Sequence, residues 1–417
     1  MLCGVDLEVA RGESVAIVGE NGSGKSTLLD ICAGVLRPDA GDVRRRDRTG
    51  FCPQQPGLVD LLTIDDHVRL TAAGTDDPRA AMRRTRSLLD ELGVDAASPT
   101  IAAELSGGQR QKLNVALSLT NDPHLVLLDE PYQGFDHGSY LSLWDVIRRW
   151  TCEGRSVAGD HAPARRERPR GQGADAAGRG APMNPRRTMA VCRAHARELS
   201  RRKLAILLLL GLPLAFYFLA GDDGLAISFA TVGFGWSIAI MSLFSTQSVR
   251  AITPRLALVG FRPVEIVAGR VLSIACYGAV IGTLLFSFLQ ADKVVRSPSH
   301  LAWSLGFAVV GSCTAGLAVG AISDRETETM LFLIGLVSLT LVAPSASTLA
   351  RLLPMFATDE YAWAAVEGGL RSGHQPWKAT ALVSTVLGLI AVVSALRRLP
   401  RVGWRRLRIP GRPLRSG

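Results

Sequence analysis

Residues 19 to 27 form the segment of this sequence with the clearest chemistry. They read GENGSGKST, after the apolar run SVAIV and before the helix-compatible run LLDICAGVL. Glycines at this spacing let backbone N–H groups point inward at phosphate oxygens, and the following helix N-terminus adds partial positive charge. The pattern predicts a phosphate-binding loop, in which Lys25 bridges the β- and γ-phosphates of a nucleoside triphosphate and Ser26 ligates Mg²⁺. The candidate binding residues are Gly19, Asn21, Gly22, Ser23, Gly24, Lys25, Ser26 and Thr27.

Two adjacent carboxylates stand at the end of another apolar run. Leu125 to Leu128 is followed by Asp129, Glu130 and a proline. A buried strand that delivers two carboxylates at its end provides one for magnesium, Asp129, and one to polarise a water molecule, Glu130. The sequence LSGGQ begins 20 residues before this run. Each element alone has structural explanations, whereas all three in this order predict a nucleotide-hydrolysing site.

These elements resemble the motifs of the ATP-binding cassette (ABC) family, and the resemblance covers residues 1 to about 161. GENGSGKST is similar to the family's Walker A motif, LSGGQRQK to its signature motif, and HLVLLDEP to its Walker B motif with the catalytic glutamate. FCPQQPGL resembles the Q-loop, in which Gln54 is the preferred metal and water contact and Gln55 the second choice. Residues 134 to 136 resemble the D-loop, which adds Asp136 to the site.

The resemblance implies a P-loop NTPase fold that binds ATP and Mg²⁺ and works as a pair of cassettes. Closed head to tail, such a pair lets Ser106 and Gly108 reach the γ-phosphate held by the other subunit, which favours a homodimer. The candidate residues of the signature motif are Ser106, Gly107, Gly108 and Gln109. His161 follows Glu130 by 31 residues, about where the family places a histidine that contacts the γ-phosphate. A surface or capping role for His161 is the alternative.

The elements that must position these residues indicate an α/β domain over residues 1–161. Short β-branched runs alternate there with longer helical stretches. Only 18 residues precede Gly19, and none is the aromatic with which the family stacks on adenine. Residues 162–185 are almost all Ala, Arg, Gly and Pro, which is typical of a linker and provides no counterpart for the family's final strands. We therefore expect a cassette truncated at both ends.

Composition places the rest of the chain against lipid. Of the 417 residues, 47% are hydrophobic and the net charge is +10. Residues 1–182 hold 22 Lys and Arg against 26 Asp and Glu, a net of −4, and residues 183–417 hold 25 against 11, a net of +14. An acidic cassette disfavours a soluble ATPase acting on DNA, so no nucleic-acid partner is expected. Seven scattered cysteines without a C-x-x-C pair predict reduced thiols. The sequence also predicts no signal peptide, so membrane insertion is expected to rest on the internal apolar segments.

Six charge-free stretches, each 18 to 26 residues long, predict six membrane helices in a transmembrane domain over residues 186–417. About 20 residues cross the hydrocarbon core of a bilayer. Buried soluble helices are the alternative, but six such stretches in succession are too many for it. The predicted spans are residues 204–221, 224–249, 271–291, 301–323, 329–350 and 379–396.

Arginines mark the cytoplasmic side of these spans. They cluster before the first span, between the second and third, and after the last, so the cassette and both termini are predicted to lie in the cytoplasm. This topology resembles the ABC-2 type exporter permeases. The basic connection of residues 250–270 is predicted to be the surface through which cassette closure is felt; a loop held only by anionic lipid is the alternative. Residues 186–203 form either a basic helix on the inner leaflet or a plain basic flank.

We therefore expect a multi-pass protein of the cytoplasmic membrane, in contact with lipid, that exports a substrate by ATP hydrolysis as a homodimer. No ionisable residue lies inside a predicted span, so the sequence does not identify the transported molecule. The alternative is a membrane assembly that binds nucleotide but hydrolyses it weakly or not at all, produced by fusion of a truncated cassette with a permease.

Overall fold

A computed structural model describes residues 2, 4–20, 22–45, 48–159, 183–221, 225–291, 295–322, 326–343, 347–371 and 375–398. The N-terminal part is an α/β layer structure, and the rest of the described chain is helical. The predicted division into an α/β domain followed by helices is therefore confirmed. The predicted linker, residues 162–185, lies outside the described residues except for its last three.

The N-terminal sheet brings the predicted motifs to one edge. Its described strands are β1 (Ser14–Ala16), β2 (Thr49–Cys52), β3 (Leu125–Leu128) and β4 (Ser156–Gly159), in the spatial order β1-β4-β3-β2. All three pairings are parallel. Because the carboxyl ends of parallel strands meet at the same edge, the segments that follow β1, β2 and β3 all lie along that edge. These are the phosphate loop, the segment of Gln54 and the two carboxylates.

Helices cover both faces of this sheet. They are α1 (Lys25–Ala33), α2 (Ile64–Ala72), α3 (Pro78–Glu91), α4 (Gly107–Ser118) and α5 (His137–Cys152). The larger core joins α3, α4 and α5 to the sheet through residues such as Leu89, Leu113 and Ile147. A smaller core places Leu29 of α1 against Phe51 and other residues of the sheet. Side-chain caps fix where the helices that carry motifs begin, because Ser106 caps α4 and Asp136 caps α5.

The second part of the chain is built only of helices within the described residues. They are α6 (Pro185–Arg201), α7 (Lys203–Leu219), α8 (Leu225–Ser248), α9 (Thr253–Leu258), α10 (Pro263–Gln290), α11 (Pro298–Ile322), α12 (Glu326–Val342), α13 (Thr348–Arg351), α14 (Phe356–Glu367) and α15 (Pro376–Arg398). Four helices of the described chain, α8, α10, α11 and the Pro376–Ser394 stretch of α15, are long and apolar enough to cross a membrane. Helices α7 and α12 have 17 residues each, so the count of six spans stays a prediction.

Close helix contacts in this part are made by glycines. A Cβ on Gly316 of α11 would collide with the Ala239 carbonyl oxygen of α8, and one on Gly278 of α10 would lie 2.9 Å from a Val309 methyl group of α11. Both partners belong to the same chain. These glycines therefore serve packing within one subunit.

The connection between α12 and α15 is helical and partly buried. It contains α14, whose Thr358 and Glu360 are 0% exposed. Ser304 of α11 donates a hydrogen bond to the Thr358 carbonyl oxygen at 2.7 Å. The structure packs α14 against α8, α11 and α15. The acidic residues Asp359, Glu360 and Glu367 and the scarcity of positive charge in residues 351–378 predict a location opposite to the arginine clusters, and this location stays a prediction.

Candidate functional site

The phosphate loop between β1 and α1 has the backbone that an anion site needs. Gly22 and Gly24 adopt φ values of 83° and 97°, which strain any residue with a side chain. Helix α1 begins at Lys25, and its N-terminal N–H groups receive no side-chain cap from the described residues. Its first turn also lacks acidic residues. Unsatisfied N–H groups at a helix N-terminus bind phosphate oxygens well.

Lys25 spans this loop. Its Nζ donates hydrogen bonds to the carbonyl oxygens of Gly19, at 2.7 Å, and Glu20, at 3.2 Å. A Cβ on Gly19 would lie 2.7 Å from Ser23 Oγ, so the loop closes tightly on itself. Ser26 is half-buried, whereas Ser23 and Thr27 are exposed. Asn21 lies outside the described residues.

The catalytic candidates meet at the ends of β2 and β3. Gln54 Nε2 donates a hydrogen bond to Glu130 Oε2 at 3.2 Å, whereas Gln55 is exposed. This contact favours the first of the two glutamines. Glu130 has φ of 44°, a left-handed conformation that is strained for a residue with a side chain. Gln111 Nε2 holds the strained segment by donating to the Glu130 carbonyl oxygen at 3.1 Å.

Asp129 follows β3 and directly precedes Glu130. It is 4% exposed, and its N–H donates to the Cys52 carbonyl oxygen at 2.9 Å, which continues the ladder between β2 and β3. Burial and the neighbouring carboxylate of Asp129 raise the pKa of Asp30. Asp30 stands four residues after Ser26 on α1, so the two side chains share one face of that helix.

The predicted signature motif and D-loop also touch each other. Ser106 Oγ accepts from the Gln109 N–H at 3.2 Å, and Gln109 Oε1 accepts from the Ser106 N–H at 3.0 Å, which makes a reciprocal cap. A Cβ on Gly108 would lie 2.6 Å from the Gly134 carbonyl oxygen, while Gly107 has open space around it. Asp136 Oδ1 accepts from the Ser139 N–H at 2.8 Å. That hydrogen bond lowers the pKa of Asp136.

The hydrolytic candidates and the residues of the signature motif and D-loop therefore differ in burial. Gln54, Asp129 and Glu130 are at least half-buried at the sheet edge, whereas Ser106 and Asp136 are exposed at the starts of their helices. An exposed cap with open space beside it is suited to meet another surface. His161 follows the last described residue of β4 and lies outside the described residues, so its predicted role stays a prediction.

Helix α9 joins the cassette to the membrane helices. Arg255 of α9 is 7% exposed and donates a hydrogen bond through Nη2 to Asn114 Oδ1 on α4. Asn114 Nδ2 in turn donates to the Pro53 carbonyl oxygen at 2.7 Å, directly before Gln54. Asn121 Nδ2 donates to the Leu258 carbonyl oxygen at 3.1 Å. Sequence analysis missed Gln111 and Asn114, because nothing in their spacing separates them from other polar residues of a helix.

A cavity of about 490 Å³ remains beside this contact. Phe51, Pro53 and Leu58 of the cassette line it together with Ala251 and Pro254 of the second part. Residues of the basic connection therefore contact the cassette. That cassette closure is felt through this surface stays a prediction. Burial lowers the pKa of Arg255 to about 10, so its guanidinium is charged at neutral pH.

Helix α6 makes a second contact with the cassette. Arg197 Nη1 and Arg201 Nη1 each donate to a different carboxylate oxygen of Asp66, both at 2.7 Å. Arg201 Nη1 also donates to the Leu61 carbonyl oxygen at 2.7 Å. Burial alone would raise the pKa of Asp66, but hydrogen bonds from Arg201 and Thr63 outweigh it and the pKa is lowered. The sequence predicted a helix or a basic flank here but gave no sign of this partner.

His67, next along α2, stiffens the segment between Gln54 and α2. Its Nδ1 donates to the Thr63 carbonyl oxygen at 2.8 Å, and its Nε2 accepts from the Val59 N–H at 2.9 Å. The ring is 0% exposed. Burial lowers the pKa of His67 to about 4, so the imidazole is neutral at physiological pH.

Comparisons with known proteins agree with this geometry. A family profile described as ABC transporter matches residues 2–133. Over 168 residues the chain is 33% identical to the lipopolysaccharide export system ATP-binding protein LptB of Acidithiobacillus ferridurans, covering 37% of this chain and 70% of LptB. It is 35% identical over 171 residues to the macrolide export ATP-binding/permease protein MacB of Rhodospirillum rubrum, covering 37% and 26% of the two chains.

Among solved structures, a dimeric bacterial ABC transporter cassette is 28% identical, with a TM-score of 0.35 over 38% of this chain and 78% of that one. The chain belongs to the ABC transporter family. Its N-terminal part is an ATP-binding cassette with the P-loop NTPase fold, of a family of ATPases coupled to transport. The chain spans 26–29% of the length of three longer curated relatives, MacB among them.

The residues present fit ATP and Mg²⁺. The uncapped helix N-terminus, the glycine turns and the Lys25 ammonium suit the phosphate groups. The Ser26 hydroxyl, the Gln54 amide oxygen and the Asp129 carboxylate form an all-oxygen donor set, which is what Mg²⁺ prefers.

Proposed function

We propose that the protein is an ATP-driven exporter of the cytoplasmic membrane, with the cassette in the cytoplasm and an ABC-2 type permease as its second part. The observation that carries the proposal is the chain of contacts from the hydrolytic pair to the membrane helices. Gln54 touches Glu130, Asn114 holds the backbone before Gln54, and Arg255 of α9 binds Asn114. A movement of Gln54 or Glu130 at the nucleotide site can therefore reach α9, a helix of the second part, through these hydrogen bonds.

At the nucleotide site the residues divide into binding and chemistry. Backbone N–H groups of the phosphate loop and Lys25 hold the phosphate groups, and Ser26, Gln54 and Asp129 hold the metal. Bound MgATP supplies a phosphoryl group that can be transferred to water. Glu130 orients that water and accepts its proton, while Gln54 holds the Glu130 carboxylate in place.

The active unit is proposed to be a homodimer. Ser106, Gly107, Gly108 and Gln109 are exposed or half-buried at the start of α4, and Asp136 is exposed beside them. This surface is proposed to complete the phosphate site of a second copy. Each chain then holds two half-sites. ATP bound between the two copies draws the cassettes together.

The membrane part is proposed to have six spans: α7, α8, α10, α11, α12 and α15. Helices α7 and α12 are about 25 Å long at 17 residues each, near the lower limit for spanning a bilayer. Arginines before α7, around α9 and after α15 support a cytoplasmic location for both termini.

Vanadate-sensitive ATPase activity of the full chain in lipid vesicles tests the function. The wild type is expected to hydrolyse ATP, and Glu130→Gln to lower turnover by at least about 100-fold, because a positioned base contributes that much. Glu8→Gln, which removes an exposed carboxylate, is the matched control. A wild type that binds labelled ATP without turning it over supports instead the weakly hydrolytic assembly; one that binds no ATP refutes both.

A further inference from the structure

A group of buried polar side chains lies where α6 crosses α10, away from the nucleotide site. It consists of His195 and Glu198 of α6, Arg202 between α6 and α7, Ser248 of α8, and Arg270 and Ser273 of α10; we call it the base cluster. Arg270 is 6% exposed, His195 3% and Ser273 1%. These groups belong to the membrane part and take no part in the proposed hydrolysis.

Packing brings the two helices of the base cluster close together. A Cβ on Gly269 would lie 2.6 Å from the Thr188 carbonyl oxygen of α6, and Tyr277 Oη donates to the Ala196 carbonyl oxygen at 3.0 Å. Both contacts join residues that are 81 apart in sequence, so the two helices run in the same direction. The charges of Arg270 and Arg202 both act to lower the pKa of His195, which agrees with this packing.

Several polar atoms of the base cluster have no partner among the described residues. They are both ring nitrogens of His195, Nε of Arg270 and Oγ of Ser273. The local carboxylate is already engaged, since Glu198 accepts from Arg202 Nη2 at 2.8 Å and from Ser248 Oγ at 3.4 Å. Arg270 is left as a buried cation that feels the charge of Glu198 but makes no ion pair within 4 Å to a carboxylate of the described residues. Such a charge is costly to bury and calls for a counter-charge.

The unpartnered groups define the chemistry of that counter-charge. A guanidinium and a hydroxyl are donors, and a neutral imidazole supplies one donor more. Burial, together with Arg270 and Arg202, lowers the pKa of His195 to about 3, so the ring is neutral. Planar guanidinium groups match phosphate oxygens in geometry and charge. The unpartnered atoms of the base cluster thus include more hydrogen-bond donors than acceptors. Because Glu198 is paired with Arg202, the remaining charge is the positive charge of Arg270.

The position of the base cluster favours phosphate at the level of lipid headgroups. Arg202 immediately precedes α7, whose Leu204 and Leu207 are 69% and 66% exposed and suit contact with acyl chains. Basic pockets between membrane helices on the cytoplasmic side are suited to anionic headgroups. We infer that the base cluster binds a phosphate group through Arg270, Ser273 and His195. The phosphate comes either from a phospholipid of the inner leaflet or from a soluble phosphate.

The test uses the full chain, delipidated in neutral detergent, and measures the shift of its unfolding midpoint with added ligand. The probes are dioleoylphosphatidylglycerol, dioleoylglycerol, which has the same acyl chains without phosphate, and inorganic phosphate at matched ionic strength. Phosphatidylglycerol is expected to raise the midpoint of the wild type, and dioleoylglycerol is not. An equal rise with inorganic phosphate assigns the site to a soluble phosphate and keeps the inference.

Variants decide whether the base cluster carries the effect. Arg270→Gln is expected to weaken the apparent affinity for phosphatidylglycerol by about tenfold or more, because one charge-assisted hydrogen bond is worth that much. Arg193→Gln removes an exposed arginine from α6, the helix that carries His195, and is the matched control. Should Arg270→Gln fail to fold, Ser273→Ala answers the question with a loss of several-fold. Variants that respond to phosphatidylglycerol as the wild type does overturn the inference, and so does a wild type that responds to no phosphate. Neither result bears on ATP hydrolysis.

Discussion

The contact between Asp66 and α6 gives a prediction whose size can be worked from the structure. The Asp66 side chain is 6% exposed and accepts one hydrogen bond from each of two arginines, Arg197 and Arg201. A hydrogen bond to a charged group is worth about 1.5–3 kcal/mol when buried. The arginine side chains are 47% and 32% exposed, so water screens each pair and lowers its worth towards about 1 kcal/mol.

Asp66→Asn is therefore expected to cost roughly 2 kcal/mol of docking free energy between α6 and the cassette, or about 30-fold in the docking equilibrium. Hydrogen–deuterium exchange of the α6 amides measures this directly, because exchange rates follow the opening equilibrium. Asp65→Asn is the control. Asp65 precedes it on the same turn, but its ion pairs with Arg69 and Arg86 stay within the cassette.

The pH dependence provides a second signature. The pKa of Asp66 is lowered in the folded protein, so its contribution to docking is complete above the unfolded pKa near 4 and is lost as the pH falls through the lower folded pKa. Wild-type protection of α6 is expected to stay constant at neutral pH and to decline below about pH 4. Asp66→Asn lacks this acid-dependent part. Equal exchange of α6 in wild type and Asp66→Asn, or equal acceleration by Asp65→Asn, would refute the reasoning.

Three further substitutions test the packing. Gly108→Ala places a methyl group 2.6 Å from a D-loop carbonyl oxygen and is expected to destabilise the cassette by about 1–3 kcal/mol in denaturant unfolding, while Gly107→Ala, with open space, costs less than about 1 kcal/mol. Gly316→Ala is expected to lower the thermal midpoint because α8 must move away from α11; Gly306→Ala, on the same helix with nothing within 4 Å, is its control. Arg255→Met keeps the volume but removes the hydrogen bond to α4, and we expect ATPase activity that no longer responds to the lipid surroundings; unchanged coupling would contradict the proposed contact.

The parts of the site that are defined by short local patterns could be predicted from the sequence. The phosphate loop needs glycines at fixed spacing, and the apolar run Leu125–Leu128 became β3 with the same bounds. The helix start at Ser106 follows from its reciprocal cap with Gln109. Each of these features depends on residues that are neighbours in sequence, so local physics determines them.

The contacts between distant segments could not be predicted. Arg255 and Asn114 are 141 residues apart, and Asp66 and Arg197 are 131 apart. The local sequence around an arginine does not indicate which carboxylate or amide the side chain will contact. Likewise, nothing in the sequence between α12 and α15 predicted that α14 would bury Glu360 within the bundle. Pairing of this kind is a property of the packed fold and has no local signal.

The two contacts of the cassette act on the membrane part at different places. Arg255 reaches the segment before Gln54, which touches the hydrolytic carboxylate, whereas Arg197 and Arg201 hold α2. Helix α6 contacts the cassette through these arginines and contributes His195 and Glu198 to the base cluster. It therefore connects the cassette to the base cluster. A shift of the cassette that moves α6 must also move the groups around Arg270. If phosphate binds there, its occupancy opposes or favours that shift, and the response of ATPase activity to phosphatidylglycerol should be lost in Asp66→Asn as well as in Arg270→Gln.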